Sequence, residues 1–330
     1  MNGLAAPYDQ VAARLARVLK HRRTWARRRG ISCFRLYEKD IPDQPFIADW
    51  YAGDVVVWAL DRTRNETPED EERWLDGIHA AVVVGCAVPP ERVWLKRRRR
   101  QKGRQAGEGD GQYERLHRVG AEKVVEEHGL RFAVNLSDYV DTGLFLDHRP
   151  TRVEVGTASA GRDVLNLFAY TGAFTCHAAK GGARSTVTVD LSNTYQAWSA
   201  RNLELNGFSP GPVHRLVRAD CLRWLDTAAA AGPVYDLIVC DPPTFSDSTA
   251  MAKPFAVDRD HPWLLERCAR LLRPGGILYF STNSRGFSLL GDPPGLVGSE
   301  ISEASVPEDF RNRRIHRCWR WTRNVERIAP

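Results

Sequence analysis

An apolar run, Tyr235-Asp236-Leu237-Ile238-Val239-Cys240, stops at Asp241-Pro242-Pro243-Thr244-Phe245. A buried strand cannot pass through two prolines, because each lacks a backbone donor and fixes its own φ. The strand must end at Asp241, which leaves a carboxylate, rigid carbonyls and an aromatic ring at its carboxyl edge. In open α/β sheets that edge is where ligands bind. Asp241, Pro242, Pro243 and Phe245 are therefore the candidate catalytic residues. Asn166, Asp190 and Asp220 stand at the ends of three other β-rich runs. An acid after a second strand can accept both ribose hydroxyls of an adenosine, and one after a third can accept from an exocyclic amine. Each could instead cap a helix, and for Asp220 alone the two readings weigh equally. Four such groups at successive strand ends are hard to obtain from capping alone.

The turn Asn166-Leu167-Phe168-Ala169-Tyr170-Thr171-Gly172-Ala173-Phe174 contains one glycine, Gly172, and no G-x-G-x-x-G. A glycine turn between strand and helix lets a ligand approach the backbone closely. A dinucleotide cradle would need small residues where Phe168 and Tyr170 stand. A pyrophosphate is disfavoured there, and a ligand without phosphates fits better.

From Arg162 onward, the runs Asp163 to Phe168, Ser185 to Val189, Val213 to Arg218, Tyr235 to Cys240 and Gly276 to Phe280 are β-rich. Helix-length segments separate them, which argues for a parallel, doubly wound α/β sheet. Upstream, Val11 to Arg29 reads as an amphipathic helix ended by Gly30. Strands follow at Cys33 to Tyr37 and Asp54 to Leu60. A polar turn at Arg62 to Pro68 leads to a helix through Ala81, and another strand begins at Val93-Trp94-Leu95. Lys96 to Tyr113 reads as a mobile basic loop, and Phe132 to Arg149 as a bridge between two regions. The expected division is a smaller α+β region over residues 1–134 and a Rossmann-like domain over 135–330, with its bridge at 135–149. There is no internal repeat.

The 330 residues are 43% hydrophobic and 27% charged, which is globular usage, with a formal net charge of +6. The charge is clustered. Arg14, Arg17, Lys20, Arg22, Arg23, Arg27, Arg28 and Arg29 fall in one acid-free stretch, and Arg97-Arg98-Arg99-Arg100-Gln101-Lys102-Gly103-Arg104 forms a second block. Arg311, Arg313, Arg314, Arg317, Arg320, Arg323 and Arg327 crowd the tail. Such clusters suit a polyanion, since phosphate contacts supply most sequence-independent affinity. For the first cluster a solvated helix face weighs equally. Arg22, Arg23, Arg97, Arg98, Arg99, Arg100, Lys102 and Arg104 are the RNA-binding candidates. The 7 cysteines show no zinc-binding spacing, so no metal is expected, and the odd count suits a reducing cytosol. No leader pattern and no long apolar run occurs, so the expectation is a soluble, cytoplasmic protein without a membrane partner.

An acid-Pro-Pro-aromatic strand end resembles that of S-adenosylmethionine-dependent methyltransferases acting on nucleic-acid bases. The resemblance is closest to the bacterial 23S rRNA guanine-N7 methyltransferases, usually found as the C-terminal half of a fused bifunctional enzyme. Asn135 to Arg149 resembles their cofactor-side bridge. N-L-F-A-Y-T-G at Asn166 to Gly172, A-D-C-L-R-W-L at Ala219 to Leu225 and D-P-P-T-F-S at Asp241 to Ser246 are similar as well. So are S-T-N-S-R-G-F at Ser281 to Phe287 and D-F-R-N-R-R-I-H-R-C-W at Asp309 to Trp319. The likeness extends upstream through Trp25-Ala26-Arg27, Tyr37-Glu38-Lys39-Asp40 and Gln101 to Arg104, and thus covers nearly the whole chain. It departs in lacking the tandem guanine-N2 half. It implies that Asn166, Phe168, Tyr170, Thr171, Gly172, Asp190, Asp220 and Asp241 line an S-adenosylmethionine site, closed from the bridge by Phe145, Asp147 and Arg149. It also implies 23S rRNA, free or in a pre-50S particle, as partner.

Chemistry narrows the target atom. Methylation at cytosine C5 needs a Cys nucleophile, and none stands in Thr244-Phe245 or Ser281-Thr282-Asn283-Ser284. Guanine N7 offers an in-plane lone pair and no proton to remove, so alignment and electrostatics suffice, without a covalent intermediate. Phe245 would stack on an extruded base, or else plug the space behind the turn. Transfer to an exocyclic amine at N2 or N6 is the alternative enzyme reading, lowered by Thr244 intervening before the aromatic ring. An RNA-binding assembly factor with dispensable methyl transfer is the other.

Overall fold

The first basic cluster rides on a helix whose other side is buried. In α1 (Tyr8–Arg28), Val11, Leu15 and Leu19 face inward, and the chain leaves the helix through Gly30 at φ 62°. Three strands follow, β1 (Cys33–Glu38), β2 (Phe46–Tyr51) and β3 (Asp54–Leu60), then α2 (Pro68–Cys86) and β4 (Val93–Arg98). They form a sheet of order β1-β2-β3-β4 in which α2 is the crossover that makes β3 and β4 parallel. Thr67 and Asp70 cap α2 reciprocally. The two helices touch at Gly85, where a Cβ would lie 2.6 Å from the Ala12 carbonyl oxygen. The computed structural model describes residues 4–62, 67–98, 119–230, 232–246 and 254–324.

A hairpin, β5 (Glu122–Glu127) and β6 (Leu130–Asn135), joins the two halves. Its turn residues His128 and Gly129 both have positive φ, as a tight hairpin of right-handed twist requires. Val125 and Phe132 pack in one apolar cluster with Tyr51 and Trp58 on one side and Cys176 and Leu203 on the other. A shared core, more than a linker, holds the two sheets together.

Then come α3 (Arg149–Ala158), β7 (Asp163–Leu167), α4 (Ala173–Lys180), β8 (Ser185–Asp190), α5 (Asn193–Leu205) and β9 (His214–Arg218). They are followed by α6 (Cys221–Ala229), β10 (Tyr235–Cys240), β11 (Phe245–Ser246), β12 (Phe255–Ala256), α7 (Val257–Leu271) and β13 (Leu272–Thr282). The chain closes with β14 (Leu296–Glu300), α8 (Ser302–Ser305) and β15 (Arg317–Arg323). The expected doubly wound sheet is present, in the order β14-β15-β13-β10-β7-β8-β9. β13, β10, β7, β8 and β9 run parallel, and β15 is antiparallel to both β13 and β14. Strand order reverses between β7 and β10, which opens the ligand crevice above their carboxyl ends.

Three expectations change. Lys96 is no loop residue: it is buried in β4, with Nζ 2.6 Å from the Tyr139 carbonyl oxygen. Phe132 to Asn135 belong to β6 and are not free bridge. Three arginines of the basic tail, Arg317, Arg320 and Arg323, lie in β15 beside the buried Trp319 and Trp321 and are paired within the protein, while Arg311, Arg313 and Arg314 precede the strand and are exposed. Arg317 pairs with Glu300, Arg320 with Glu154 at 3.2 Å, and Arg323 with the Ala269 and Leu272 carbonyls. Among the described residues, no helix is long and apolar enough to cross a membrane.

Candidate active site

The turn leaving β7 is strained. Phe168 and Tyr170 take φ 53° and 52°, and Gly172 takes 72°. A left-handed conformation costs a non-glycine residue roughly 1–2 kcal/mol, and here specific contacts hold it. The Tyr170 N–H donates to Asp190 Oδ2 at 2.9 Å, and the Ala169 N–H donates to the Val189 carbonyl at 3.1 Å. Asp190 Oδ1 accepts from the Ser192 N–H at 2.8 Å. Burial pushes the Asp190 carboxyl up to about 6, against the pull of those backbone donors.

Asp220 is a cap and something more. Its Oδ1 accepts from the Leu222 N–H at 3.0 Å, which starts α6. Its Oδ2 is buried and has no hydrogen-bond partner, the Arg223 nitrogen lying 4.0 Å off. Leaving a buried acceptor unmade costs about 1–3 kcal/mol. An incoming N–H donor would repay that cost, which is the position an exocyclic amine would take. Asp190 and Asp220 are thus the two acids that could hold an adenosine, the first by its ribose hydroxyls and the second by its base.

The other turn residues divide differently from their sequence reading. Asn166 is buried, and its Nδ2 donates to Thr175 Oγ1 at 3.0 Å beneath the turn. Thr171 is fully buried and donates to the Gly143 carbonyl at 2.6 Å, tying the turn to the bridge. Gly172 is dictated by packing: a Cβ there would lie 2.8 Å from Ser199 Oγ. Phe145 reaches the turn, its ring 5.0 Å from that of Tyr170, which in turn meets Tyr195 at 4.5 Å. Arg149 does not: it is buried, donating to Asp309 at 2.8 Å and to the Cys33 carbonyl at 2.9 Å. It locks β1 to the C-terminal region instead of closing the crevice.

Asp241 ends β10 with its side chain 29% exposed, and Oδ1 accepts from Ser281 Oγ at 2.6 Å. Pro242 is buried, and Thr244 Oγ1 donates to Asn283 Oδ1 at 2.7 Å. The Ser281-Thr282-Asn283 strand end therefore braces the Asp241 turn, a role that strand-end reasoning alone does not assign. Phe245 is 42% exposed, so it is not a plug behind the turn. Cys240, just before Asp241, is fully buried with its thiol raised well above the ordinary range by burial. All seven cysteines are buried.

Sequence reasoning also misses His148 and His316. His148 Nε2 lies 3.8 Å from Asp241 Oδ2 and 3.9 Å from Asp147 Oδ2, and His316 Nδ1 lies 2.9 Å from that same Asp147 oxygen. Asp147 thus stands one imidazole away from Asp241. Both histidines sit in stretches of the family resemblance, but a lone His carries no signal of its own.

The RNA-binding candidates are scattered. Arg22 reaches the Glu308 carbonyl at 3.3 Å, Arg23 lies 4.6 Å over the Trp50 ring, and Arg97 stands 3.6 Å from Glu71. The side chains of Arg98, Arg99, Arg100, Lys102 and Arg104 lie outside the described residues. Lys20, His21, Thr24, Trp25, Arg28 and Arg29 line a shallow concavity on α1.

A doubly wound sheet with acids at two successive strand ends and Asp-Pro-Pro at the switch strand is a Rossmann-like architecture, in which ligands bind at the carboxyl ends of the strands. The sequence profile of the S-adenosylmethionine-dependent methyltransferases matches residues 34–291, and the chain belongs to that family. S-adenosylmethionine is its cofactor. Ribosomal RNA large subunit methyltransferase K of Neisseria meningitidis is 48% identical over 313 residues, 93% of this chain and 85% of that protein. Methyltransferase K/L of Allochromatium vinosum is 47% identical over 93% of this chain, which spans 42% of its length. Among solved structures, SMU.776 in complex with SAH superposes with a TM-score of 0.73 at 22% identity, covering 96% of this chain and 82% of that one. The SAM-dependent methyltransferase of Agrobacterium tumefaciens gives 0.57 at 18% identity, over 84% and 87%. These two likenesses are of fold.

Proposed function

We propose that the protein transfers a methyl group to N7 of a guanine in 23S rRNA, within naked RNA or an assembling large subunit. The observation that carries this reading is the Asp241 turn. It presents a partly exposed carboxylate and an exposed ring, and all seven thiols are buried. A covalent adduct is therefore unsupported, and direct transfer to an existing lone pair needs none. When bound, the cofactor supplies an electrophilic methyl on a sulfonium. Asp190 and Asp220 orient its adenosine; Asp241 faces the charge that arrives on the purine, and Phe245 stacks on the extruded base. The names of the relatives support large-subunit rRNA as the substrate class. Residues 1–134 would supply the RNA-facing surface, and unstacked nucleotides are the form in which RNA is read.

The test is mass spectrometry of nucleosides from 23S rRNA incubated with the protein and methyl-labelled cofactor. Label in N7-methylguanosine is the expected result. Label in an N2- or N6-methylated base would keep fold and cofactor and overturn the target atom. Asp241→Asn and Phe245→Ala check the roles: unchanged turnover in both would refute the assignment.

A further inference from the structure

Two imidazoles from distant parts of the chain lie face to face beside Asp241. His148 ends the turn before α3, and His316 precedes β15; their ring centroids are 4.1 Å apart with 10° between planes. Both are buried. Asp147, His148 and His316 bring their donor atoms within 4.8 Å of one another, as a metal site would. The stacking argues otherwise, because parallel rings send their in-plane lone pairs along parallel lines that do not converge on one ion.

The hydrogen bonds fix the protons instead. Ser305 Oγ lies 2.9 Å from the Ser302 carbonyl and 2.8 Å from His316 Nε2. His316 Nδ1 faces the Asp147 carboxylate at 2.9 Å and donates to it. His316 is thus held at both ring nitrogens. Burial and His316 together push the His148 imidazole down to about 4, against the pull of Asp241 and Asp147. His148 Nδ1 is buried without a partner, while Nε2 faces two carboxylates. A single ring proton belongs on Nε2, where both carboxylates attract it.

We propose that His148 is a positioning residue for methyl transfer, aiming Asp241 through an Nε2–H donor, with the Asp147–His316 pair holding His148 in place. Asp147 Oδ2 already accepts from His316, so the nearer Asp241 Oδ2 is the acceptor assigned to His148. Drawing Nε2 from 3.8 Å to a direct bond requires a movement of about 1 Å. Ser281 then holds one oxygen of Asp241 and His148 the other, which fixes the carboxylate plane against the base. Misplacing a catalytic group by 1 Å can cost on the order of 100-fold in rate.

This inference rests on the methyltransferase reading but not on which base is modified. His148→Phe keeps a stacked ring and removes the donor; His148→Gln places an amide N–H near Nε2. The expected result is a kcat lowered about 10- to 100-fold in the Phe variant, with cofactor affinity and RNA KM held, and most of that recovered by Gln. Wild-type kcat in the Phe variant, or a Gln variant as slow as Phe, would overturn the proposal. Should the Phe variant fail to fold, 15N spectra of histidine-labelled wild-type protein decide: a neutral His148 carrying its proton on Nε2 is expected. An Nδ1–H tautomer or a charged His148 at neutral pH overturns it. A methylated base other than N7-methylguanine would refute the function proposed above and leave this comparison standing.

Discussion

Arg152 of α3 and Glu127 at the end of β5 meet as two forks, both nitrogen–oxygen distances 2.7 Å and neither side chain more than 2% exposed. His177 Nε2 lies 3.1 Å from the same carboxylate, and the remaining arm of Arg152 donates to the Phe145 carbonyl at 2.7 Å. Hairpin, bridge and α4 therefore share one buried charge. Phe145 in turn packs on Tyr170, so this joint also sets one wall of the turn after β7.

Breaking that joint from one side should be severe. Arg152→Met removes both bonds of the fork and leaves the buried Glu127 carboxylate only His177 and, at 3.6 Å, Arg149, at a cost of about 3–5 kcal/mol. The double variant Arg152→Met with Glu127→Leu should recover much of it, because the stranded charge is gone. Burial raises the Glu127 carboxyl, but Arg152 and His177 outweigh burial and bring it well below its usual range. A depressed carboxyl stabilises the fold above its unfolded value, near 4.3, and that contribution is lost as pH falls through the folded one. Chemical denaturation between pH 7 and pH 3 should therefore show an acid limb that Glu127→Gln flattens.

Asp190 should make cofactor binding depend on pH in the opposite part of the scale. Its carboxyl titrates near 6 in the folded chain, above its unfolded value. The folded state then holds the extra proton between about 4 and about 6, so this group's share of stability declines as pH rises through that window. Ribose hydroxyls donate to the ionised form. Affinity for S-adenosylhomocysteine should thus drop about tenfold from pH 7.5 to pH 5, one unit below the midpoint. Calorimetry reads this directly, and Asp190→Asn should bind weakly at both pH values alike.

Asp220→Asn separates the two jobs of that residue. Asparagine caps a helix as well as aspartate does, so its oxygen stays on Leu222 N–H and thermal stability should hold. The amide nitrogen would then occupy the place of the orphaned Oδ2 and oppose the amine as donor against donor. Cofactor affinity should fall about 10- to 100-fold, the value of a hydrogen bond to a charged group. Asp220→Ala should lose the same affinity and about 1 kcal/mol of stability besides. Equal affinity in wild type and Asn variant would remove Asp220 from the site.

Apolar strands ending in an acid are legible because burial on both faces of a parallel sheet writes continuous hydrophobic runs. β7, β10 and the second half of β13 announce themselves in that way, while β8 interleaves Thr with Val and the edge strand β9 is half exposed. β15 does not: Arg317-Cys318-Trp319-Arg320-Trp321-Thr322-Arg323 alternates charge with apolar bulk, a pattern that reads as a polyanion surface. Only the fold shows that Glu300 and Glu154 wait across from Arg317 and Arg320. β5 and β6 are hidden similarly, their short runs broken by Glu and Arg. In the site, Asp190, Asp220 and Asp241 follow from strand ends. His148 and His316 stand 168 residues apart (316 minus 148), and no local pattern brings two such rings together.

Those partnered arginines separate two surfaces that composition alone would merge. Arg17, Lys20, His21, Thr24 and Arg28 recur at helical spacing along one face of α1, and Arg17, Lys20 and Arg28 are exposed. With Trp25 beside them, they could follow a phosphate backbone and offer a ring to an unpaired base. Arg17→Gln with Arg28→Gln should weaken binding of the proposed RNA and lower the slope of log K against log salt by roughly 0.7 for each phosphate that is no longer neutralised. Arg317→Gln with Arg320→Gln should act oppositely. It removes the bonds from Arg317 to the Phe287 carbonyl at 2.7 Å and from Arg320 to the Tyr279 hydroxyl at 3.3 Å. Stability should fall by about 1 kcal/mol for each such bond, with the salt slope unchanged. Filter-binding titrations from 50 to 300 mM salt, a range spanning about a 2.4-fold change in screening length, distinguish the two. A tail variant that flattens the slope as much as the α1 variant would return the tail to the RNA surface.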